Sequence, residues 1–166
     1  MNKNQKIALL GITATIAIVL SYVEAMIPSF IPIPGVKIGL ANIAIMFALY
    51  KLGLPHASLV SFVRLTTLFL LFGGVIPLLY SVAGAFLSLT VMYILKRFTP
   101  FSEVGVSVAG GVSHNVAQIM VAVFMFSTES LIYYLPVLLL SGTLSGIMIG
   151  IVSGILIKKI KLVREK

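Results

Sequence analysis

The 166-residue sequence contains no cysteine and no aspartate, and only 10% of its residues are charged. The missing cysteines exclude disulfides, thiolate chemistry and cysteine-based metal sites, and leave the redox compartment undetermined. Without aspartate, every acidic side chain is a glutamate: Glu24, Glu103, Glu129 and Glu165. A soluble domain carries roughly a quarter charged residues, so the shortage of charge, with 60% hydrophobic residues and a mean hydropathy of +1.17, points to a membrane protein. Apolar runs near the ~20 residues needed to cross the hydrocarbon core recur along the whole length. One integral membrane domain over residues 1–166 is expected, with no soluble domain beside it. The N-terminal MNKNQK and its apolar run imitate a signal peptide. The run continues through Ala25 without a convincing small-residue cleavage site, so a retained first helix is preferred.

Breaks fall at PSFIPIPG (28–35), KLGLPH (51–56), FGG (72–74), KRFTP (96–100) and STES (127–130), where proline, glycine and charge interrupt the apolar pattern. They predict an all-α, six-helix transmembrane bundle with spans near 6–27, 37–52, 55–72, 75–96, 103–126 and 132–158. The second and third spans are short for a full crossing. Lys3, Lys6, Lys51, Lys96, Arg97, Lys158, Lys159, Lys161, Arg164 and Lys166 all fall on the side of the termini, and only Lys37 lies in an opposite loop. The positive-inside rule then puts both termini in the cytoplasm of a multi-pass plasma-membrane protein. The formal charge of +8 reads as topology plus attraction to anionic lipid headgroups, so no nucleic-acid partner is expected.

Few polar residues remain inside the spans. In GGVSHNVAQIM (110–120), His114, Asn115 and Gln118 share one helical face. At 1.5 Å per residue, His114 and Asn115 lie roughly 16 to 18 Å into the fifth helix, near the midplane. Arg64 reaches a similar depth on the third helix. Glu24, Asn42 and Tyr80 fall near the outer ends of helices one, two and four, with Tyr133 and Tyr134 at the outer end of helix six. A charge at the bilayer centre costs about 2.5 to 3.5 kcal/mol on insertion scales. Arg64 therefore pairs structurally, snorkels to a headgroup, or anchors a ligand. His114, Asn115 and Gln118 serve either as interhelical glue or as the lining of a cavity. Lys37 holds an anion or sits in the headgroups. A metal site would need more ligands than one midplane histidine, and His56 lies at the far end of helix three, so no metal is assigned.

A second pattern consists of small residues four apart: Gly142, Gly146, Gly150 and Gly154 on helix six, Thr13, Ala17, Ser21 and Ala25 on helix one, and Gly105, Ala109, Ser113 and Ala117 on helix five. Such faces let backbones approach closely. Internal packing is the plainer use. A face left over at Thr13, Ala17, Ser21, Gly146 and Gly150 would dock a partner protein.

PIPGVKIGLAN (32–42), the arginine of SFVRL (61–65), LLYSVAGAFLSL (78–89), GVSVAGGVSHNVAQI (105–119) and YYLPVLLLSG (133–142) together resemble the Gx transporter family, often catalogued as heptaprenyl diphosphate synthase component I. More distantly, the six-helix plan, the Pro/Gly first loop and the small-residue first helix look like the substrate-binding S components of energy-coupling factor (ECF) vitamin transporters. That likeness implies a binding subunit for a small vitamin-like, isoprenoid or quinone precursor, working with a coupling transmembrane protein and two ATPases. The implied substrate-binding set is Glu24, Lys37, Asn42, Arg64, Tyr80, His114, Asn115 and Gln118, with no cofactor and no catalytic residue. Strict Ala-x-x-x-Ala spacing is not kept on the first helix, which reads Thr13, Ala17, Ser21 and Ala25. The catalogue name implies a different role, a noncatalytic accessory or anchor subunit of a prenyl diphosphate synthase or of a flavin or quinone redox system. Chain elongation by this polypeptide alone is rejected, because magnesium diphosphate is held by clustered aspartates and this chain has none. Nor is there a GxxxxGK[ST] loop, so any ATP-driven step belongs to other subunits. A lone-acting intramembrane enzyme with His114 as general base is the weakest alternative.

Overall fold

A computed structural model describes residues 2–27 and 39–160; Lys37, most of the first loop and the basic tail from Lys161 lie outside the described residues. Among the described residues the chain forms six α-helices and no strand: α1 Lys3–Met26, α2 Asn42–Lys51, α3 Leu54–Phe72, α4 Val75–Phe98, α5 Glu103–Phe126 and α6 Leu135–Lys159. A 3-10 segment, Glu129–Tyr134, precedes α6. Five helical segments are long and apolar enough to cross a membrane, and their outward faces are apolar: Leu70, Phe86 and Phe124 are 77%, 73% and 87% exposed. In water such faces would be an aggregation liability, whereas in a bilayer they meet lipid. This is a multi-pass membrane protein.

The punctuation residues act locally. Gly53 takes φ +91° and Pro55 follows in the first turn of α3, where a missing N–H costs nothing. Gly73 and Gly74, at φ +66° and +90°, make the tight α3–α4 turn in a region that side-chain-bearing residues avoid. The α5 start is capped by Ser102, whose Oγ accepts from the Gly105 N–H at 3.2 Å. Helix α4 runs two residues past the expected end, through Phe98, because lysine and arginine are good helix formers. It stops at Thr99, which the following Pro100 forces into the extended region.

The largest departure from expectation is α2. It begins at Asn42 instead of 37, because residues 39–41 form a turn in which the Gly39 carbonyl accepts from the Asn42 N–H at 2.8 Å. Ten residues give a helix of ~15 Å, half the hydrocarbon thickness. Six of them, Ala44 to Leu49, are buried, and α2 packs against α1, α3 and α6. Ala17, Ala57, Val60, Leu89, Met92 and Val106 complete the core around it. Its far end is held by Lys96, whose Nζ donates to the Leu49 carbonyl at 2.7 Å and lies 4.9 Å from the Tyr50 ring centroid. A basic residue expected only to set topology thus also satisfies a helix-terminal carbonyl.

The glycine stripe on α6 is consumed by α5. A Cβ on Gly146 would lie 2.6 Å from the Val108 Cα, one on Gly150 would lie 2.7 Å from the Val104 Cα, and one on Gly142 would lie 2.8 Å from the Gly111 carbonyl oxygen. Gly154 is different, with its nearest neighbour at 3.7 Å. On α1, Thr13, Ala17 and Ser21 are buried. Thr13, Ala17, Ser21, Gly146 and Gly150, where a docking face was expected, pack against the chain's own helices, which supplies the close packing that a lipid solvent cannot drive.

Candidate functional site

From the Asn42 end of α2 a partly open cavity of about 200 Å³ runs into the bundle as far as Met92 and Ser107. Each of α1 to α6 contributes to its wall: Ser21 and Glu24, Asn42, Arg64, Ser81 and Ser88, His114 and Asn115, and Ser145, with Gly39 from the turn before α2. Of the eight expected binding residues, Glu24, Asn42, Arg64, His114 and Asn115 are brought together here. Tyr80 is half-buried but does not line the cavity, and Gln118 is buried in helix packing outside it. Lys37 lies outside the described residues. Tyr133 and Tyr134 are exposed on the 3-10 segment. Tyr22 instead stacks on Phe72, with ring centroids 5.7 Å apart, tying α1 to the end of α3 beside the cavity.

Arg64 is 8% exposed, and its buried Nε makes no hydrogen bond among the described residues. Glu24, on α1, is the acid whose charge reaches it. That carboxylate is engaged elsewhere, since its Oε1 accepts from the Gly39 N–H at 2.5 Å. The interaction explains the GLAN stretch in part: the left-handed turn at Gly39 points its amide at the end of α1 and sets Asn42 at the cavity wall.

Asn115 has a structural duty as well as a lining position. Its Nδ2 donates to the Leu138 carbonyl at 2.6 Å, bridging α5 and α6. Replacement by leucine removes that bond, and the expected loss in thermal unfolding experiments is about 0.6 kcal/mol, the average for such interhelical contacts. No loss would mean the bridge contributes nothing to stability.

Gly84 went unrecognised in the sequence. A Cβ there would stand 2.6 to 2.8 Å from Cε1, Nε2 and Nδ1 of the His114 ring, so this glycine makes the recess that the ring occupies. Ser81, Gly84 and Ser88 fall on one helical face, and that small, hydroxyl-bearing stripe in YSVAGAFLSL was the available signal. Gly84→Ala is expected to displace the ring and weaken ligand binding about tenfold, the size of one lost good hydrogen bond, at an unchanged yield of folded protein. Unchanged binding would remove His114 from the site.

The fold and cavity define a polytopic helical membrane protein with an intramembrane cavity whose wall mixes polar and apolar side chains. A family model described as heptaprenyl diphosphate synthase component I matches residues 13–156, and the chain belongs to that family. No curated protein and no solved structure matches it. The family description makes a magnesium-diphosphate site worth testing against the residues present. They do not fit one: the sequence has no aspartate, and among the described residues no three histidine or acidic side chains come together.

Proposed function

We propose that this chain is a noncatalytic membrane subunit that binds a small prenyl-related molecule through an oxygen-rich head and presents it to partner proteins. The observation that carries the reading is Arg64, a buried guanidinium at the wall of a cavity that also holds Glu24, Asn42 and His114, with an Nε that no group among the described residues satisfies. Such a charge is expensive in a bilayer and is ordinarily retained for a task. A guanidinium has five N–H donors in a planar fork, which suits phosphate, carboxylate or carbonyl oxygens. Asn42 and His114 at the same wall would orient the head. With both termini cytoplasmic, as the basic residues favour, Glu24 and Gly73 would mark the outer mouth of the cavity, and Met92 and Ser107 its inner end.

Two assemblies accommodate such a subunit. In the importer reading, it is the S component of an ECF-type transporter and works with a coupling membrane protein and two ATPases. The six-helix plan and a cavity walled by all six helices support that reading. In the synthase reading it is an accessory or anchor subunit of a prenyl diphosphate synthase or related redox system, and the family match favours this one. A gentle-detergent pull-down of the tagged chain from its native membrane, with mass spectrometry, separates them. Two ATPases with a coupling protein would establish the importer. A prenyl synthase or redox subunit without ATPases would establish the anchor. A chain recovered alone would count against both partnerships.

A further inference from the structure

Helices α3 and α4 are joined by a two-glycine turn yet pack far less closely on one another than α4 on α5 or α5 on α6. Between them runs a second cleft, about 510 Å³, open along the bundle surface. It extends from Leu54 to Phe69 on α3 and from Leu78 to Tyr93 on α4, each stretch ~22 Å of helix. Its wall is mostly apolar, with Phe62, Phe86 and Leu89 prominent. Leu65, Phe69 and Leu78 line both this cleft and the polar cavity, so the two spaces adjoin. Arg64 precedes Leu65 in the chain and stands at the inner side of that junction.

A long apolar slot adjoining, across Leu65, Phe69 and Leu78, a cavity that holds a buried guanidinium has the shape and polarity of an amphipath. We propose that the α3–α4 cleft is a lateral entry path: an amphipathic molecule reaches the cavity from the bilayer, its oxygen-rich head at Arg64 and its slender apolar chain lying between α3 and α4. The proposal rests on the ligand-binding reading above and adds the substrate class and the route. Chain transfer from lipid into the slot gains little, because both are apolar. Selection therefore lies in the head, where a charge-assisted hydrogen bond to Arg64 forms away from water. The slot spares the chain from being forced into a polar chamber of limited volume. Phosphate and quinone-type carbonyl heads share the acceptor chemistry that Arg64 requires, and the test carries both.

The full chain in lipid nanodiscs is illuminated with two probes, each a farnesyl chain ending in a diazirine, one on a diphosphate head and one on a benzoquinone head. Labelled residues are then mapped by mass spectrometry. The expected result is labelling on the cleft wall, around Ser58, Phe62, Phe86 or Thr90, that falls at least about tenfold in Arg64→Ala. It should fall equally in the parent protein under an excess of the same molecule without its diazirine, an arm independent of how well the variant folds. The head group that succeeds identifies the ligand chemistry. Cleft labelling that persists through both challenges means that ordinary lipid chains fill the slot, and the proposal fails. Competable labelling confined to α1, α5 or α6 overturns the entry path and leaves the binding site standing. No competable labelling with either probe overturns the path and the binding reading together.

Discussion

Replacing Gly146 with leucine is expected to prevent the protein from reaching a stable fold in the membrane. Even the first carbon of the new side chain would lie 2.6 Å from the Val108 Cα and 3.0 Å from the Ser107 carbonyl oxygen. Those are backbone atoms of α5, so no rotamer change relieves the clash and the two helices must separate. Overpacking typically costs 1 to 3 kcal/mol when side chains can adjust, and a seam set by backbone contact should lose more than about 3 kcal/mol. The measurement is the fraction of monodisperse protein in mild detergent along a heating series. Gly11→Leu is the matched control, because nothing lies within 4 Å of a Cβ at that position. Gly154→Ala should also be tolerated, its nearest neighbour being 3.7 Å away. Equal damage at positions 11 and 146 would refute the assignment of the glycine stripe to the α5–α6 seam.

The second large effect concerns binding without stability. Arg64→Ala is expected to weaken ligand binding by ~10- to 100-fold, the loss of one or two charge-assisted hydrogen bonds, while the unfolding midpoint stays level or rises. The rise follows from cost: an arginine at mid-membrane is worth about 2.5 to 3.5 kcal/mol against insertion, and its Nε finds no acceptor among the described residues in return. A structural arginine behaves in the opposite way, since removing one partner of a satisfied buried pair destabilises strongly. Arg64→Lys keeps the charge but loses the planar fork and should fall between parent and alanine. A lower midpoint with unchanged binding would make Arg64 a structural residue and remove the basis of the proposed function.

Much of the helical plan was legible because glycine and proline act through local backbone geometry. Gly53 with Pro55 and the Gly73–Gly74 pair end and start helices where their sequence positions indicate. The start of α2 was not legible, because the stretch GLANIAIM looks the same whether residues 39–41 are helical or form a turn that offers the Gly39 amide to Glu24. Polar residues in an apolar span identified five cavity residues for the reason insertion costs are high. Which way a face turns depends on the helix opposite, so Gln118 was placed on the cavity wall and lies outside it. The same dependence hid Gly84, whose meaning appears only when the His114 ring of another helix is set against it. Small residues four apart announced close approach but not the identity of the neighbour, and the neighbour is the chain itself.

The half-length of α2 bears on how cargo could travel. Met46 and Leu49 of α2 are wholly inaccessible, and the helices clasped around them fill the bundle on one side of the cavity. On the other side the cavity reaches Met92 and Ser107, within about two turns of the ends of α4 and α5. A molecule held at Arg64 would therefore have α2 beside it, and only those last turns of helix below it. On the proposed reading, the chain would hold a ligand against the flank of this short helix, and partner proteins would act on those last turns to move it.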